Sequence, residues 1–236
     1  IRLALWFAPD RNRHYRNYQR DVDILYNMYR DFGINTFKID AVNIQTKEAE
    51  ENFELFLSEL IHRAKDVSFN FDVTGALDRR PGYFHLQEYG NIFLENRYTR
   101  VVGTPPNKYY PFRTLGNLWQ LASYVLPQKL QVEFLNIALN QDNYSPDDEL
   151  APCRYSWEYC FAITFFANPL LWGEPSGFSE DGISRIRSLI DLHKEYRDAI
   201  FACNIFPIGN MPDGYSWTGF QAHPRIRIDE ASQSSE

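Results

Sequence analysis

The sequence predicts an α/β fold, specifically a (β/α)8 barrel of the TIM type. Two observations carry this. Strand-like and helix-like stretches alternate along the chain at the spacing of βαβ units, which implies a parallel sheet. Several of the strands are apolar on one face and polar on the other near their C-terminal ends. A doubly wound sheet is covered by helices on both faces, and its strands read as almost wholly apolar. A barrel whose interior opens into a wet site at its top accommodates the polar alternation.

The elements follow in order. Leu3 to Ala8 reads as a buried strand closed by Pro9-Asp10. A helix is expected over Tyr18 to Asp31, with Val22, Leu25, Tyr26 and Tyr29 at helical spacing. Gly33 stands just after it, where a left-handed residue commonly ends a helix. Ile34 to Asp40 is a short strand. Thr46 to Lys65 carries a continuous apolar stripe of Ala49, Phe53, Phe56, Leu57, Leu60, Ile61 and Ala64. Glu48, Glu50 and Glu51 crowd its first turn, where the helix dipole favours acids.

Val67 to Thr74 alternates strictly, with Val67, Phe69, Phe71 and Val73 on one face and Ser68, Asn70, Asp72 and Thr74 on the other. Beyond the Pro81-Gly82 turn, Asn91 to Glu95 is a further strand. Helices are expected over Phe112 to Tyr124, Gln131 to Asn140 and Tyr155 to Ala167, and a strand over Asn168 to Trp172. Asp181 to Ala199 reads as a surface helix with Ile183, Ile186, Ile190 and His193 on one side. The barrel domain is expected to span 1–220, with 221–236 a polar tail.

Composition narrows the function. The chain has 236 residues, 44% hydrophobic and 23% charged, so it is expected to fold around a core. A formal net charge of −7 argues against a nucleic-acid partner, because phosphate binding needs a basic face. The greasiest run, Tyr159 to Trp172, is interrupted by Asn168 and Pro169 and falls short of the roughly 20 apolar residues a membrane span needs. No membrane partner is expected. Cys153, Cys160 and Cys203 are too scattered for a disulfide framework and read as small core residues. No Cys or His pair has metal-ligand spacing, so neither a metal nor another cofactor is expected. Oligomeric state and compartment leave no mark on the sequence.

The chemistry concentrates at strand ends. Lys38 and Asp40 are two apart, so they share a face, while Phe37 and Ile39 point the other way. Asp10, Asp72 and Glu95 end other strands in the same sense. Four carboxylates in register at one end of the sheet suit a polyhydroxylated substrate and an oxocarbenium-like transition state. Independent helix caps are the bland explanation of the same pattern.

Two of these segments resemble a known family. Leu5-Trp6-Phe7-Ala8-Pro9-Asp10 and Phe32-Gly33-Ile34-Asn35-Thr36-Phe37-Lys38-Ile39-Asp40 are similar to consecutive strands of the family 36 alpha-galactosidases and their clan relatives. The resemblance implies a retaining glycoside hydrolase with Asp40 as nucleophile and Lys38 in contact with the sugar. Phe93-Leu94-Glu95-Asn96 stands nearest the family's acid/base motif and puts Glu95, in place of the family's Asp, in that role, with Asp72 the second candidate. Trp6, Asp10, Asp72, Arg80, Arg97 and Trp172 are then expected to hold the carbohydrate substrate. The family's G-(A/H)-H signature, which concerns the seventh strand, is absent, and Leu115-Gly116-Asn117-Leu118-Trp119 stands near its place. The resemblance also implies an incomplete barrel, about strands three to eight, with the preceding domain and first two strands missing, and hence low stability in isolation. Three other readings compete. They are a transglycosidase of the same family, a non-catalytic carbohydrate-binding barrel favoured by the Glu at 95, and an unrelated barrel acting on phosphorylated substrates, for which no Gly-rich phosphate loop is visible.

Overall fold

The computed structural model describes residues 3–73, 81–94, 97–98, 108–171 and 176–225, with the backbone alone described at 81, 82, 97 and 98. The elements begin β1 (Leu5–Phe7), α1 (Tyr18–Phe32), β2 (Thr36–Ile39), α2 (Lys47–Arg63), β3 (Ser68–Asp72) and, after a 3-10 segment at Pro81–Glu88, β4 (Gly90–Leu94). They continue with β5 (Arg97–Tyr98), β6 (Lys108–Tyr109), α3 (Pro111–Leu121), β7 (Leu130–Phe134), α4 (Trp157–Thr164), β8 (Asn168–Leu171), α5 (Glu180–Phe201), β9 (Cys203–Gly209) and β10 (Thr218–Pro224). Contacts divide the chain into two compact units, Ile1–Glu95 with Lys129–Val132, and Asn96–Gln128 with Glu133–Glu236.

In the first unit β1, β2, β3, β4 and β7 pair side by side in chain order, all parallel. The α/β class and parallel sheet are as the alternation of elements predicts. One face of the strands buries Phe37, Ile39, Phe69, Phe71, Ile92, Leu130 and Val132. That face needs helices over it, and α2 supplies a buried stripe of Ala49, Phe53, Phe56, Leu57 and Leu60. The Thr46 hydroxyl caps α2 by accepting from the Ala49 N–H at 3.2 Å. Helix α1 ends as expected on Gly33 at φ +67°, whose N–H donates to Tyr29 O at 3.0 Å.

Gly90 opens β4 where the strand passes Phe69 of β3. A Cβ added at Gly90 would overlap the Phe69 carbonyl oxygen and lie 2.9 Å from the carbonyl carbon. Backbone in a paired strand cannot yield as a side-chain tip can. Gly90→Ala is therefore expected to cost about 1–3 kcal/mol of stability. The check is a lower urea midpoint at unchanged slope.

The second unit contains the antiparallel pair β5–β6, with Arg97 opposite Tyr109, and the hairpin β9–β10, in register from Cys203↔Pro224 to Gly209↔Thr218. Its core joins Phe134, Phe161 and Ile186, with Trp157, Phe165, Phe178, Leu189 and Ile190 packed against it. His193 is buried edge-on among Phe161, Phe165 and Phe201. Burial raises the Cys160 thiol to about 12, so it is inert at neutral pH.

Three sequence expectations are corrected here. Gln131 to Asn140 is not a helix, because Leu130–Phe134 is strand β7. Leu130, Val132 and Phe134 are buried and alternate with Gln131 and Glu133, a period of two that marks a strand and that the expected helix cut across. Ile183 of α5 is 45% exposed, the helix burying Gly182, Ile186, His193 and Ile200 instead. Cys153 is exposed rather than part of the core. The hairpin β9–β10 was not anticipated, and β10 runs on to Pro224. Among the described residues, no helix is long and apolar enough to cross a membrane.

Candidate active site

The second face of the first unit's sheet is polar. Register places Trp6, Lys38, Asn70 and Asn91 in one row across β1 to β4. One step toward the C-terminal ends, Asp72, Phe93 and Gln131 form a second row across β3, β4 and β7. Period-two alternation aims all of these side chains away from the helix-covered face.

Lys38 is the hub. It is 7% exposed, and its Nζ lies 3.0 Å from Asp72 Oδ2. The ammonium also sits 4.1 Å from the Trp6 ring centroid and 4.2 Å from that of Phe93. Two ring faces and one carboxylate thus replace the water that a buried ammonium gives up. The rings bring the charge close without adding a second full anion. Beside them the Asn70 amide donates to Gln131 Oε1.

Asp40 follows β2 directly and is half-buried. Its N–H donates to Phe7 O of β1 at 2.8 Å, which extends the β1–β2 ladder by one bond. Its Oδ1 accepts from the Ala41 N–H at 2.7 Å, and Ala41 turns back at φ +55°. A left-handed alanine costs roughly 1–2 kcal/mol, and such strain persists only where the surroundings over-determine it. Here they do. The Asn43 N–H donates to Tyr15 Oη at 2.8 Å, and the Ile44 N–H donates to Tyr83 Oη at 3.0 Å. Two buried tyrosines therefore fix the loop that leaves Asp40.

Asp10 follows β1. Its Oδ2 accepts from Asn17 Nδ2 at 2.8 Å and its Oδ1 from the Asn12 N–H at 3.0 Å. Those hydrogen bonds hold its carboxyl below the usual range. Its own N–H donates to Asp21 Oδ2 at 2.7 Å. Asp21 is 4% exposed, and burial pushes its carboxyl up.

Of the residues singled out in the sequence, Trp6, Lys38 and Asp72 come into direct contact. Asp40 stands at the C-terminal end of the strand that carries Lys38. The ion pair of Lys38 runs across to Asp72 on the neighbouring strand. Glu95, Arg80 and Trp172 lie outside the described residues, as does the side chain of Arg97. Sequence reading missed Phe93, Asn70, Gln131 and the two tyrosines. Asn70 was visible on the polar face of its strand. Gln131 was hidden because its strand reads as a helix, and Tyr15 and Tyr83 act through hydroxyls far away in sequence.

The first unit's sheet thus buries one face under helices and lines the other with a carboxylate, amides and rings. Solved structures that this chain resembles include alpha-galactosidases. The GH36 alpha-galactosidase AgaA of Geobacillus stearothermophilus, solved with raffinose, aligns over 88% of this chain at TM-score 0.60 and 10% identity, covering 33% of its own length. The alpha-galactosidase of Lactobacillus brevis aligns over 88% of this chain and 32% of its own at TM-score 0.57 and 12% identity. The galactosidase domain of the alpha-galactosidase-sucrose kinase AgaSK aligns over 90% of this chain and 32% of its own at TM-score 0.59 and 11% identity. This chain therefore spans about a third of the length of the structures it matches, and the likeness is one of fold. No family model matches the sequence, and no curated protein matches it.

Proposed function

We propose that this chain carries the catalytic core of a retaining glycoside hydrolase acting on alpha-galactosides, built on part of a (β/α)8 barrel. The observation that carries the reading is Lys38, held between Trp6 and Phe93 against Asp72, on the strand that ends at Asp40. The strand order supports it, since five neighbouring strands pair in chain order with none reversed, as in a singly wound barrel. The likeness to alpha-galactosidases supports it independently.

In this reading the substrate enters at the C-terminal ends of the strands. Asp40 attacks the anomeric carbon as the bond to the leaving oxygen breaks, and Glu95 donates its proton to that oxygen. Glu95 then takes a proton from water, whose oxygen displaces Asp40 from the sugar. Each displacement inverts the anomeric centre, so the product keeps the substrate's configuration. The mechanism requires the two carboxyls to be about 5–5.5 Å apart. Asp72, Asp10, Arg80 and Arg97 hold sugar hydroxyls, Lys38 stands behind the indole of Trp6 rather than against the sugar, and Trp6 and Trp172 offer ring faces.

The experiment is hydrolysis of para-nitrophenyl alpha-galactoside followed by proton NMR within the first turnovers. The α anomer of galactose is expected to appear first and mutarotate afterwards. The β anomer as first product would mean an inverting enzyme and would remove the covalent role of Asp40. Galactose binding by calorimetry with no turnover would favour the second reading, a carbohydrate-binding domain, to which the glutamate at 95 in place of aspartate lends support.

A further inference from the structure

Away from the polar face of the sheet, three side chains of metal-ligand type converge. Glu50 and Glu54 stand one turn apart on α2, and His85 comes from the 3-10 segment at Pro81–Glu88. One ligand atom from each lies within 4.8 Å of the other two. His85 Nε2 is 3.9 Å from Glu54 Oε1. Glu50 and His85 also line a cavity of about 390 Å³ together with Ile44, Gln45, Thr46 and Tyr83.

The geometry points to a binding site for a divalent transition-metal ion of the zinc class, held by Glu50, Glu54 and His85. The charge pattern of α2 supports this. Glu48 pairs with Arg16 at 2.7 Å and Glu51 with Lys47 at 3.4 Å. Among the described residues Glu50 has no basic partner, and it faces a second carboxylate four residues on. Such a like-charge pair on a helix is unfavourable unless a cation offsets it. The donor set selects the ion, because one imidazole nitrogen with two carboxylate oxygens suits zinc, whereas calcium and magnesium prefer oxygen alone. An ion about 2.1 Å from each donor can span at most about 4.2 Å between them. The glutamates need only rotate to close that gap. Three protein ligands leave a fourth position, and the cavity beside Glu50 and His85 opens it to water.

The site has a structural consequence. The segment that supplies His85 also supplies Tyr83, whose hydroxyl accepts from the Ile44 N–H. An ion joining α2 to that segment braces the loop that follows Asp40 from its far side. Sequence spacing does not reveal this site, since His85 is 31 positions beyond Glu54.

The test is isothermal titration of the chelator-stripped chain with zinc chloride, alongside thermal melts with and without zinc. A single tight site and a zinc-dependent rise in Tm are expected. Glu50→Gln, on the exposed face of α2, is expected to leave the zinc-free melt unchanged and to weaken binding by about tenfold or more. His85→Gln is expected to weaken it similarly. No heat of binding would overturn the proposal. So would zinc uptake that survives both substitutions, which would place the ion on exposed Cys153 or another histidine.

Discussion

Asp40→Ala is expected to lower turnover of an aryl alpha-galactoside by about 10³-fold or more. In the proposed mechanism the covalent step has no substitute once Asp40 is gone. Stability should change little, because the carboxylate's protein partner is the N–H of Ala41, a loop donor that water can satisfy. In that mechanism the variant also leaves a space the size of a carboxylate beside the anomeric carbon. Added sodium azide is expected to occupy it, attack that carbon and restore turnover, with the β-galactosyl azide as product. The pairing of loss and rescue separates a nucleophile from a residue that merely shapes the loop. Azide that restores nothing, or a variant that hydrolyses the substrate at the original rate, would remove Asp40 from the chemistry.

The second large effect concerns stability. Asp72→Ala is expected to cost about 3–5 kcal/mol, because it strands the Lys38 ammonium where water barely reaches. The side chains are 8% and 17% exposed, so solvent screens the pair little. Lys38→Met should cost less. It leaves the carboxylate, the better exposed partner, and keeps an unbranched chain between the rings of Trp6 and Phe93. The double variant Lys38→Met with Asp72→Leu should recover most of the loss, since an apolar pair can replace a buried ion pair at little cost. Urea midpoints for the four proteins close the cycle. Equal midpoints for Asp72→Ala and the parent would mean that Lys38 draws its stabilisation from elsewhere.

Local signals were legible in the sequence. Gly33 announced the end of α1, and Thr46 announced the start of α2. The alternation of Ser68, Phe69, Asn70, Phe71 and Asp72 announced a strand with one wet face. Each of these is written within a few residues of where it acts. The failures share the opposite property. Leu130–Phe134 does alternate apolar and polar residues, but the expected helix began at Gln131 and cut across that alternation, and the pairing with β4 is what the segment alone does not show. Cys203–Gly209 and Thr218–Pro224 become strands only by pairing with each other. At the candidate site the same division holds. Lys38 and Asp40 stand out by spacing on one strand. The Asp72 partnership, the ring of Phe93 and the Asn70 contact with Gln131 all depend on register between strands, which no single stretch encodes. The loop after Asp40 is held by Tyr15 and Tyr83, 25 residues before it and 43 after.

The indole of Trp6 has one side already taken. An ammonium rests against it from within the protein, while the residue as a whole remains 58% exposed. A pyranose that stacks on this indole must therefore settle from the bulk-water side, with the lysine as a backing plate. That cation draws electron density inward and leaves the outer surface a weaker acceptor for sugar C–H groups than an isolated tryptophan would be. The arrangement favours a platform that orients and releases over one that grips.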